Sequence, residues 1–184
     1  MLRGGSVTRA DWVHTDSLKH ILAALMPANR LAIETSLATG LRIDDVLHLR
    51  TADLSKERFT IKERKTGKSR RLRLPQSLRD DLLRQAGRWW VFEGRTDPRK
   101  PRTRQAVWKD LHRACVLFRI SKQLHISPHS ARKIYAVSKY QTGQSLEKVR
   151  RLLNHSSEAV TMIYAMADEM TARRTRTVKT NLPQ

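Results

Sequence analysis

The sequence predicts an α+β domain that is predominantly helical and contains one small antiparallel β-hairpin. Three observations support this fold class. Apolar residues recur at helical spacing over most of the chain, one central segment alternates between apolar and polar residues, and glycine or proline separates the segments. With 184 residues, of which 39% are hydrophobic, the chain can bury one core. We therefore expect a single domain over residues 1–184, with mobile ends at residues 1–14 and about 171–184.

Eight helices are expected from the spacing of the apolar residues. They span residues 18–25, 28–39, 43–49, 78–85, 104–120, 128–140, 145–153 and 158–164. Thr15, Asp16 or Ser17 is available to cap the first helix, and Gly40 is expected to end the second in a left-handed conformation. The helix over 104–120 is expected to be amphipathic, and its apolar positions include Val107, Leu111, Ala114, Val116 and Phe118.

The central alternating segment predicts a β-hairpin. Apolar and polar residues alternate over 59–62 and again over 71–74, which is the two-residue period of a half-buried strand. Thr66-Gly67 lies between these runs and supplies the turn, so Lys65 and Lys68 are expected at its tip. Residues 94–104, with two prolines, are expected to form a basic loop.

The charge balance favours a polyanionic partner. The chain has 37 Lys and Arg residues against 17 Asp and Glu residues, a formal net charge of +20. No apolar run approaches the ~20 residues that span a bilayer, and no signal-peptide pattern opens the chain. A single cysteine, Cys115, cannot form an internal disulfide, and no Cys/His spacing suggests zinc. We therefore expect a cytoplasmic, nucleoid-associated protein with no membrane segment, metal or other cofactor.

Two groups of residues in the first half of the chain could act on phosphate. In Thr39-Gly40-Leu41-Arg42, a glycine turn places Arg42 at a helix start with Asp45 on the same helical side, and a guanidinium matches phosphate oxygens. In the hairpin turn, Lys65 or Lys68 could enter a DNA groove and donate a proton. Taken alone, the first group is better explained as an ordinary helix-start arginine with an i,i+3 partner, and the second as a solvated charge run.

Two further groups lie in the second half. In His129-x-x-Arg132, the three-residue spacing places both side chains on one side of a helix. There Arg132 could neutralise the charge that develops at phosphorus, and His129 could hydrogen-bond or transfer a proton. The competing interpretation is that His129 is a buried structural histidine. Leu153-Asn154-His155 is followed nine residues later by Tyr164, which could attack phosphorus beside the cations. Tyr135 and Tyr140 compete as nucleophiles, although their place on the His129 helix favours packing or DNA contact.

In this order and spacing, the four groups resemble the catalytic domain of the tyrosine recombinases, the phage integrase family. The resemblance runs from about residue 18 to residue 170. It implies the catalytic-domain fold of that family. It also implies cleavage and rejoining of DNA through a 3′-phosphotyrosyl intermediate, without a metal or cofactor, in integration, inversion or resolution.

The resemblance assigns each matching residue a role. The implied catalytic residues are Arg42, Lys65, His129, Arg132, His155 and Tyr164. The two arginines bind phosphate, the two histidines complete the site, Lys65 is the general acid for the leaving 5′ oxygen, and Tyr164 is the nucleophile. Asp45 matches the acidic position that supports the first arginine. Further DNA contacts are predicted at Lys68, Arg70, Arg102, Arg104 and Lys133.

The chain departs from the usual family pattern in two places. Asn154 stands where glycine is usual, and asparagine also tolerates a left-handed turn. We expect no separate N-terminal core-binding domain, because only about 17 residues precede the first predicted helix. The expected partners are double-stranded DNA, other copies of the chain on DNA as a family-type tetramer, and accessory DNA-bending proteins.

Two other functions stay open at this point. A non-catalytic DNA-binding regulator could keep the fold, although every expected catalytic position is filled. A basic RNA-binding module is less favoured, because only 5% of residues are aromatic and no stacking strip is evident. The sequence therefore predicts a site-specific DNA recombinase.

Overall fold

The computed structural model of the chain describes residues 15–119 and 126–154. Its elements are α1 (Thr15–Ala23), α2 (Pro27–Thr39), α3 (Ile43–Leu47), a 3₁₀ helix (Thr51–Ser55), β1 (Arg58–Lys62), β2 (Ser69–Arg73), α4 (Gln76–Gln85), α5 (Arg104–Leu117), α6 (Pro128–Gln141) and α7 (Leu146–Leu152). This order confirms the predicted fold class. The predicted helix over 158–164 and both ends of the chain lie outside the described residues.

The two strands form the predicted hairpin. They pair antiparallel, with Phe59 opposite Leu72, and both of these side chains are buried. In the turn, Gly67 has a φ of 67°, and its N–H donates to the Glu63 carbonyl at 2.8 Å. The Glu63 N–H in turn donates to the Lys68 carbonyl at 2.9 Å. These hydrogen bonds and the left-handed backbone at Gly67, which glycine adopts readily, confirm the predicted Thr66-Gly67 turn.

Helix α2 lies at the centre of the core. It contacts α1, α3, α4, α5 and α6, so it is buried on several faces. Its two fully buried hydroxyl groups are satisfied by backbone: Thr35 donates to the Leu31 carbonyl and Ser36 to the Leu41 carbonyl, each at 2.7 Å. The C-terminal end of α2 therefore lies inside the protein, where it can position other groups.

Several helices differ from their predicted ends, and the differences in α1 and α5 concern residues that the sequence analysis named. Helix α1 already includes Thr15, so Thr15, Asp16 and Ser17 lie within the helix and do not precede it as caps. Helix α5 ends at Leu117 rather than at residue 120, and of its expected apolar positions Val116 and Phe118 are exposed, so they do not belong to the buried face. Val116 lies about 180° around the helix from buried Val107, and Phe118 follows the last helical residue.

The end of the described chain is held against α6. Tyr135 and Ala136 of α6 form a buried cluster with Val149 of α7 and with Leu153, which follows it. Ser145 caps α7 by accepting a hydrogen bond from the Lys148 N–H at 3.2 Å. None of the helices in the described ranges is long and apolar enough to cross a membrane.

Candidate active site

A cleft of about 1180 Å³ opens between the hairpin turn, the start of α3, and the N-terminal ends of α5 and α6. The described residues that line it are Arg42, Ile43, Asp44, Arg64, Lys65, Thr103, Arg104, Gln105, Trp108, Ser127, Pro128, His129 and Arg132. Five of these are arginine or lysine and one is aspartate. The cleft is therefore suited to a ligand with several negative charges.

Arg42 reaches the cleft because of the glycine turn before it. Gly40 has a φ of 68°, and a Cβ atom at this position would overlap the ring of Tyr135. Both conditions require glycine, and they turn the chain so that Arg42 immediately precedes α3. The Arg42 side chain is 13% exposed, and its Nη1 donates to Glu63 Oε2 at 2.8 Å.

Glu63 is a site residue that the sequence analysis missed. Its side chain has no exposed surface, and its Oε2 accepts hydrogen bonds from both Arg42 and Thr66, the latter at 3.0 Å. Its Oε1 lies 3.7 Å from Arg70 Nη1. The two-residue strand period could have indicated this, because Glu63 continues the inward positions 59 and 61.

Asp45 was predicted to support Arg42. The structure buries Asp45, and its Oδ1 accepts from the Arg64 N–H at 2.8 Å, which attaches the start of the hairpin turn to α3. Burial raises the pKa of Asp45, and the hydrogen bond from Arg64 and the charge of Arg42 oppose that change. Asp45 thus acts on Arg42 through its charge, whereas Glu63 is a hydrogen-bonded partner.

Arg132 connects three of the four predicted groups. Its side chain is fully buried at the floor of the cleft. Nη1 donates to the Gly40 carbonyl at 2.7 Å, and Nη2 donates to the Leu153 carbonyl at 2.8 Å. These partners are 92 and 21 residues away in sequence. One guanidinium therefore joins the Thr39–Arg42 turn, the His129 helix and the start of the Leu153-Asn154-His155 motif.

Arg70 has a similar buried position. Its Nη2 donates to the Thr39 carbonyl, next to the carbonyl that Arg132 holds. Burial lowers the pKa of Arg70, and interactions with Tyr135 and Glu63 oppose that effect. Two arginines therefore meet the negative end of the α2 dipole. Arg70 was predicted to contact DNA, but its guanidinium points into the protein.

Of the remaining predicted basic residues, some line the cleft and others lie elsewhere on the protein. Lys65, Arg104 and His129 line the cleft, while Lys68 is exposed at the hairpin turn. Lys133 is partly buried on α6, next to Arg132. Arg102 instead points toward α2, where its Nη1 donates to Asn29 Oδ1 at 3.2 Å, and burial lowers its pKa.

Trp108 lines the cleft and is a second residue of the site that the sequence analysis missed. It is 46% exposed and stacks on His112 with 5.2 Å between the ring centroids. Its four-residue spacing from Arg104 on α5 was a usable signal, because residues at that spacing share a helix face.

The last predicted group is described only in part. His155 and Tyr164 lie outside the described residues. Asn154 has a φ of 59°, which confirms that asparagine adopts the left-handed turn expected there. Of the competing tyrosines, Tyr135 is only 8% exposed, and burial raises its pKa, which disfavours the phenolate that a nucleophile needs. Tyr140 is 47% exposed at the other end of α6 from His129.

Known proteins resemble this chain over most of its length. The model of the phage integrase family matches residues 11–170. YoeC of Bacillus subtilis, named as a probable integrase/recombinase, is 30% identical over 140 residues, which are 73% of this chain and 75% of YoeC. The protein y4qK of Sinorhizobium fredii, with the same kind of name, is 31% identical over 156 residues. That match covers 81% of this chain but 50% of y4qK, so the chain spans about half the length of that relative.

The fold also matches a solved structure. A lambda integrase (75-356) dimer bound to a COC′ core site gives a TM-score of 0.70 at 20% identity. The match covers 86% of this chain and 61% of that one. The family match, the relatives and this shared fold show that the chain belongs to the phage integrase family and has the fold of a tyrosine recombinase catalytic domain.

Proposed function

We propose that this protein is a tyrosine-type site-specific recombinase, which cleaves and rejoins DNA through a 3′-phosphotyrosyl intermediate. One observation carries the proposal. Arg132 donates to the carbonyls of Gly40 and Leu153, and so it draws motifs from three distant parts of the chain to one basic cleft. A cleft with cations on several sides suits a transition state in which negative charge is spread over the oxygens around phosphorus.

In the proposed cleavage step, the phenolic oxygen of Tyr164 attacks the phosphorus of one phosphodiester, and the bond from phosphorus to the 5′ oxygen breaks. The Lys65 ammonium gives a proton to the leaving 5′ oxygen. The phenolic proton passes to His129, whose position beside the cleft supports this role. Arg42 supplies positive charge to the non-bridging oxygens, and Arg132 and His155 complete the cationic surroundings.

Rejoining reverses these steps. A 5′ hydroxyl attacks the phosphotyrosyl phosphorus, and Lys65 accepts its proton. The bond from phosphorus to the tyrosine oxygen breaks, and that oxygen regains its proton from His129. Each cleavage exchanges one phosphodiester for another, so the cycle needs no nucleotide hydrolysis and no change of oxidation state. The side chains of this chain supply the charge and the protons, and we therefore propose that no cofactor is needed.

The proposed partner is double-stranded DNA. The net charge of +20 and the basic lining of the cleft support it. The related lambda integrase structure is a dimer bound to a core site, which supports self-association of this chain on DNA. We extend that association to a tetramer, because an exchange between two duplexes cleaves four strands. Accessory DNA-bending proteins would act by bringing such duplexes together.

Covalent capture tests this function. The protein is incubated with a library of nicked duplexes with randomised flanks, in which cleavage releases a short fragment and traps the intermediate. We expect an adduct that survives detergent, is removed by protease, and maps to Tyr164. Tyr164→Phe should bind DNA but form no adduct, because only the nucleophilic oxygen is lost.

Tyr135→Phe and Tyr140→Phe are the matched controls and should still form the adduct. An adduct that persists in Tyr164→Phe, or that disappears only in one of the controls, would assign the nucleophile elsewhere. DNA binding by the parent protein without any adduct would support the non-catalytic regulator instead.

A chelator provides a second test. We expect EDTA to leave the yield of adduct unchanged, since arginine and lysine charges act where a metal ion would otherwise be needed. Loss of the adduct in EDTA and its return with added Mg²⁺ would contradict the mechanism.

A further inference from the structure

Glu63 lies inside the protein although it begins a turn of exposed, charged residues. Its side chain has no exposed surface, whereas Arg64, Lys65 and Lys68 are all exposed. Burial of a carboxylate is unfavourable unless cations and hydrogen bonds compensate it. The groups that surround Glu63 therefore indicate what it does.

The carboxylate of Glu63 accepts hydrogen bonds both from Arg42 and from the hairpin turn that carries Lys65. Oε2 accepts from Arg42 Nη1 at 2.8 Å and from Thr66 Oγ1 at 3.0 Å. Arg42 lines the cleft, and Thr66 immediately follows Lys65 in the hairpin turn. A single oxygen atom thus links the guanidinium to the segment that carries the lysine.

Arg70 stands on the other side of the same carboxylate. Its Nη1 is 3.7 Å from Glu63 Oε1, and its Nη2 donates to the Thr39 carbonyl. The side chain of Arg70 is only 11% exposed. The two arginines and the Glu63 carboxylate together carry a net charge of +1, so one carboxylate compensates only part of the positive charge around it.

We propose that Glu63 is a positioning residue for strand cleavage. It holds the Arg42 guanidinium at the wall of the cleft and, through Thr66, fixes the turn that presents Lys65. A purely electrostatic role is disfavoured, because a negative charge beside Arg42 opposes phosphate binding. The proposal rests on the recombinase function proposed above, and Glu63 itself does not touch DNA.

Two conservative variants separate position from charge. Glu63→Gln keeps the length of the side chain and an oxygen that accepts from Arg42, but it removes the charge. Glu63→Asp keeps the charge but shortens the side chain by one methylene, so the carboxylate lies farther from Arg42 and Thr66. Glu57→Gln is the matched control, because Glu57 pairs with Arg73 on the exposed side of the same hairpin.

The rate of adduct formation is measured on the nicked duplex recovered by covalent capture, with each variant normalised to its folded fraction. We expect Glu63→Gln and Glu57→Gln to stay within about tenfold of the parent and Glu63→Asp to fall roughly 10²-fold, as for loss of one preorganised donor. Combined with Arg42→Ala, Glu63→Asp should add clearly less than its full loss, because the part of its effect that passes through Arg42 is already gone and only the part that passes through Thr66 remains. The reverse order of the Gln and Asp variants, or fully additive losses, would overturn the proposal.

A readout without DNA keeps this test separate from the recombinase function. The Nε–Hε signal of Arg42 is assigned by its loss in Arg42→Ala, and its relaxation is measured by NMR in the free protein. We expect an ordered side chain in the parent and in Glu63→Gln, and a mobile one in Glu63→Asp. Unchanged order in Glu63→Asp would refute positioning even if cleavage is seen. Absence of any adduct in the parent would refute the recombinase while this measurement still decides the role of Glu63.

Discussion

At the scale of single residues, Arg132 has a structural role and a proposed catalytic role. Its guanidinium satisfies two buried carbonyls, at Gly40 and Leu153, and lies at the floor of a cleft where we propose that phosphate binds. We expect Arg132→Ala to reduce cleavage by ~10²–10³-fold. It should also lower the free energy of unfolding by about 1–3 kcal/mol for each carbonyl left unpaired.

The two effects of Arg132→Ala are separable by experiment. Urea denaturation gives the stability, and single-turnover cleavage, normalised to folded protein, gives the rate. Arg151→Ala is the matched control, because Arg151 is an exposed arginine that pairs with Glu147. Cleavage within a few-fold of the parent would show that Arg132 only holds the fold together.

The two hairpin lysines are separable by the chemistry of the leaving group. Lys65 lines the cleft, and Lys68 lies three residues further along the turn. In a substrate with sulfur in place of the bridging 5′ oxygen, the leaving group is a thiolate, which needs no protonation. This substrate should therefore restore cleavage by Lys65→Ala but not by Arg132→Ala. Rescue of Lys68→Ala instead would transfer the role to Lys68. Failure to rescue either variant would remove the hairpin from proton transfer.

At the scale of elements, Asp110 ties the start of α2 to α5. One carboxylate oxygen accepts from the Met26 N–H and from Asn29 Nδ2, each at 2.8 Å, and the other accepts from Arg113. This is a helix cap supplied by a residue that is distant in sequence. Burial tends to raise the pKa of Asp110, but these hydrogen bonds outweigh it and hold the pKa below its ordinary value.

We expect Asp110→Asn to lower the free energy of unfolding by about 1–3 kcal/mol at neutral pH. The folded-state pKa of Asp110 is depressed, so its contribution is fully present above the unfolded value of about 4 and is lost as the pH falls through the folded value. Urea denaturation from pH 7 to pH 3 should therefore show the difference between parent and variant shrinking. Asp81→Asn, at an exposed pair with Arg84, serves as the control. A difference that is constant with pH would mean that the charge of Asp110 is not what stabilises α2.

The elements themselves were largely predictable from the sequence. Period-two alternation around a glycine turn gave the hairpin, and Gly40 ended α2 as expected, because these signals are local. The outer end of α5 was not predictable in the same way. The apolar character of a residue such as Val116 does not show whether a neighbouring element covers its side chain in the folded protein.

Side-chain partners were less predictable than elements, because they depend on the folding of distant segments onto one another. Asp45 was expected beside Arg42 from its i,i+3 spacing, yet Glu63, 21 residues away, takes the hydrogen bond. Arg70 and Arg102 were predicted to contact DNA, and in the structure each donates a hydrogen bond to a group on α2. Composition gives the number of cationic residues but not the direction in which each side chain points. The catalytic roles of all six residues remain predictions, namely those of Arg42, Lys65, His129, Arg132, His155 and Tyr164.

At the scale of the whole molecule, a net charge of +20 should make DNA binding strongly dependent on salt. Each phosphate that the protein neutralises contributes about −0.9 to the slope of log affinity against log salt concentration. Four described cations that are at least partly exposed line the cleft, namely Arg42, Arg64, Lys65 and Arg104. We therefore expect a slope steeper than about −3 on random duplexes, with only weak preference for any sequence, because phosphate contacts carry no sequence information.

Single substitutions locate the surface responsible for that slope. Arg64→Gln or Arg104→Gln should each make the slope shallower by about 0.9, since each removes one phosphate contact. Arg84→Gln is the control, because Arg84 is also an exposed arginine, lies on α4 and pairs with Asp81 as Arg64 pairs with Asp44. Fluorescence anisotropy from low to moderate salt measures all four proteins on the same duplexes. An equal change in Arg84→Gln would mean that DNA binds through diffuse charge over the whole surface. A nearly flat response in the parent would mean that the cleft does not bind the phosphate backbone, and the cations that line it would then need another explanation.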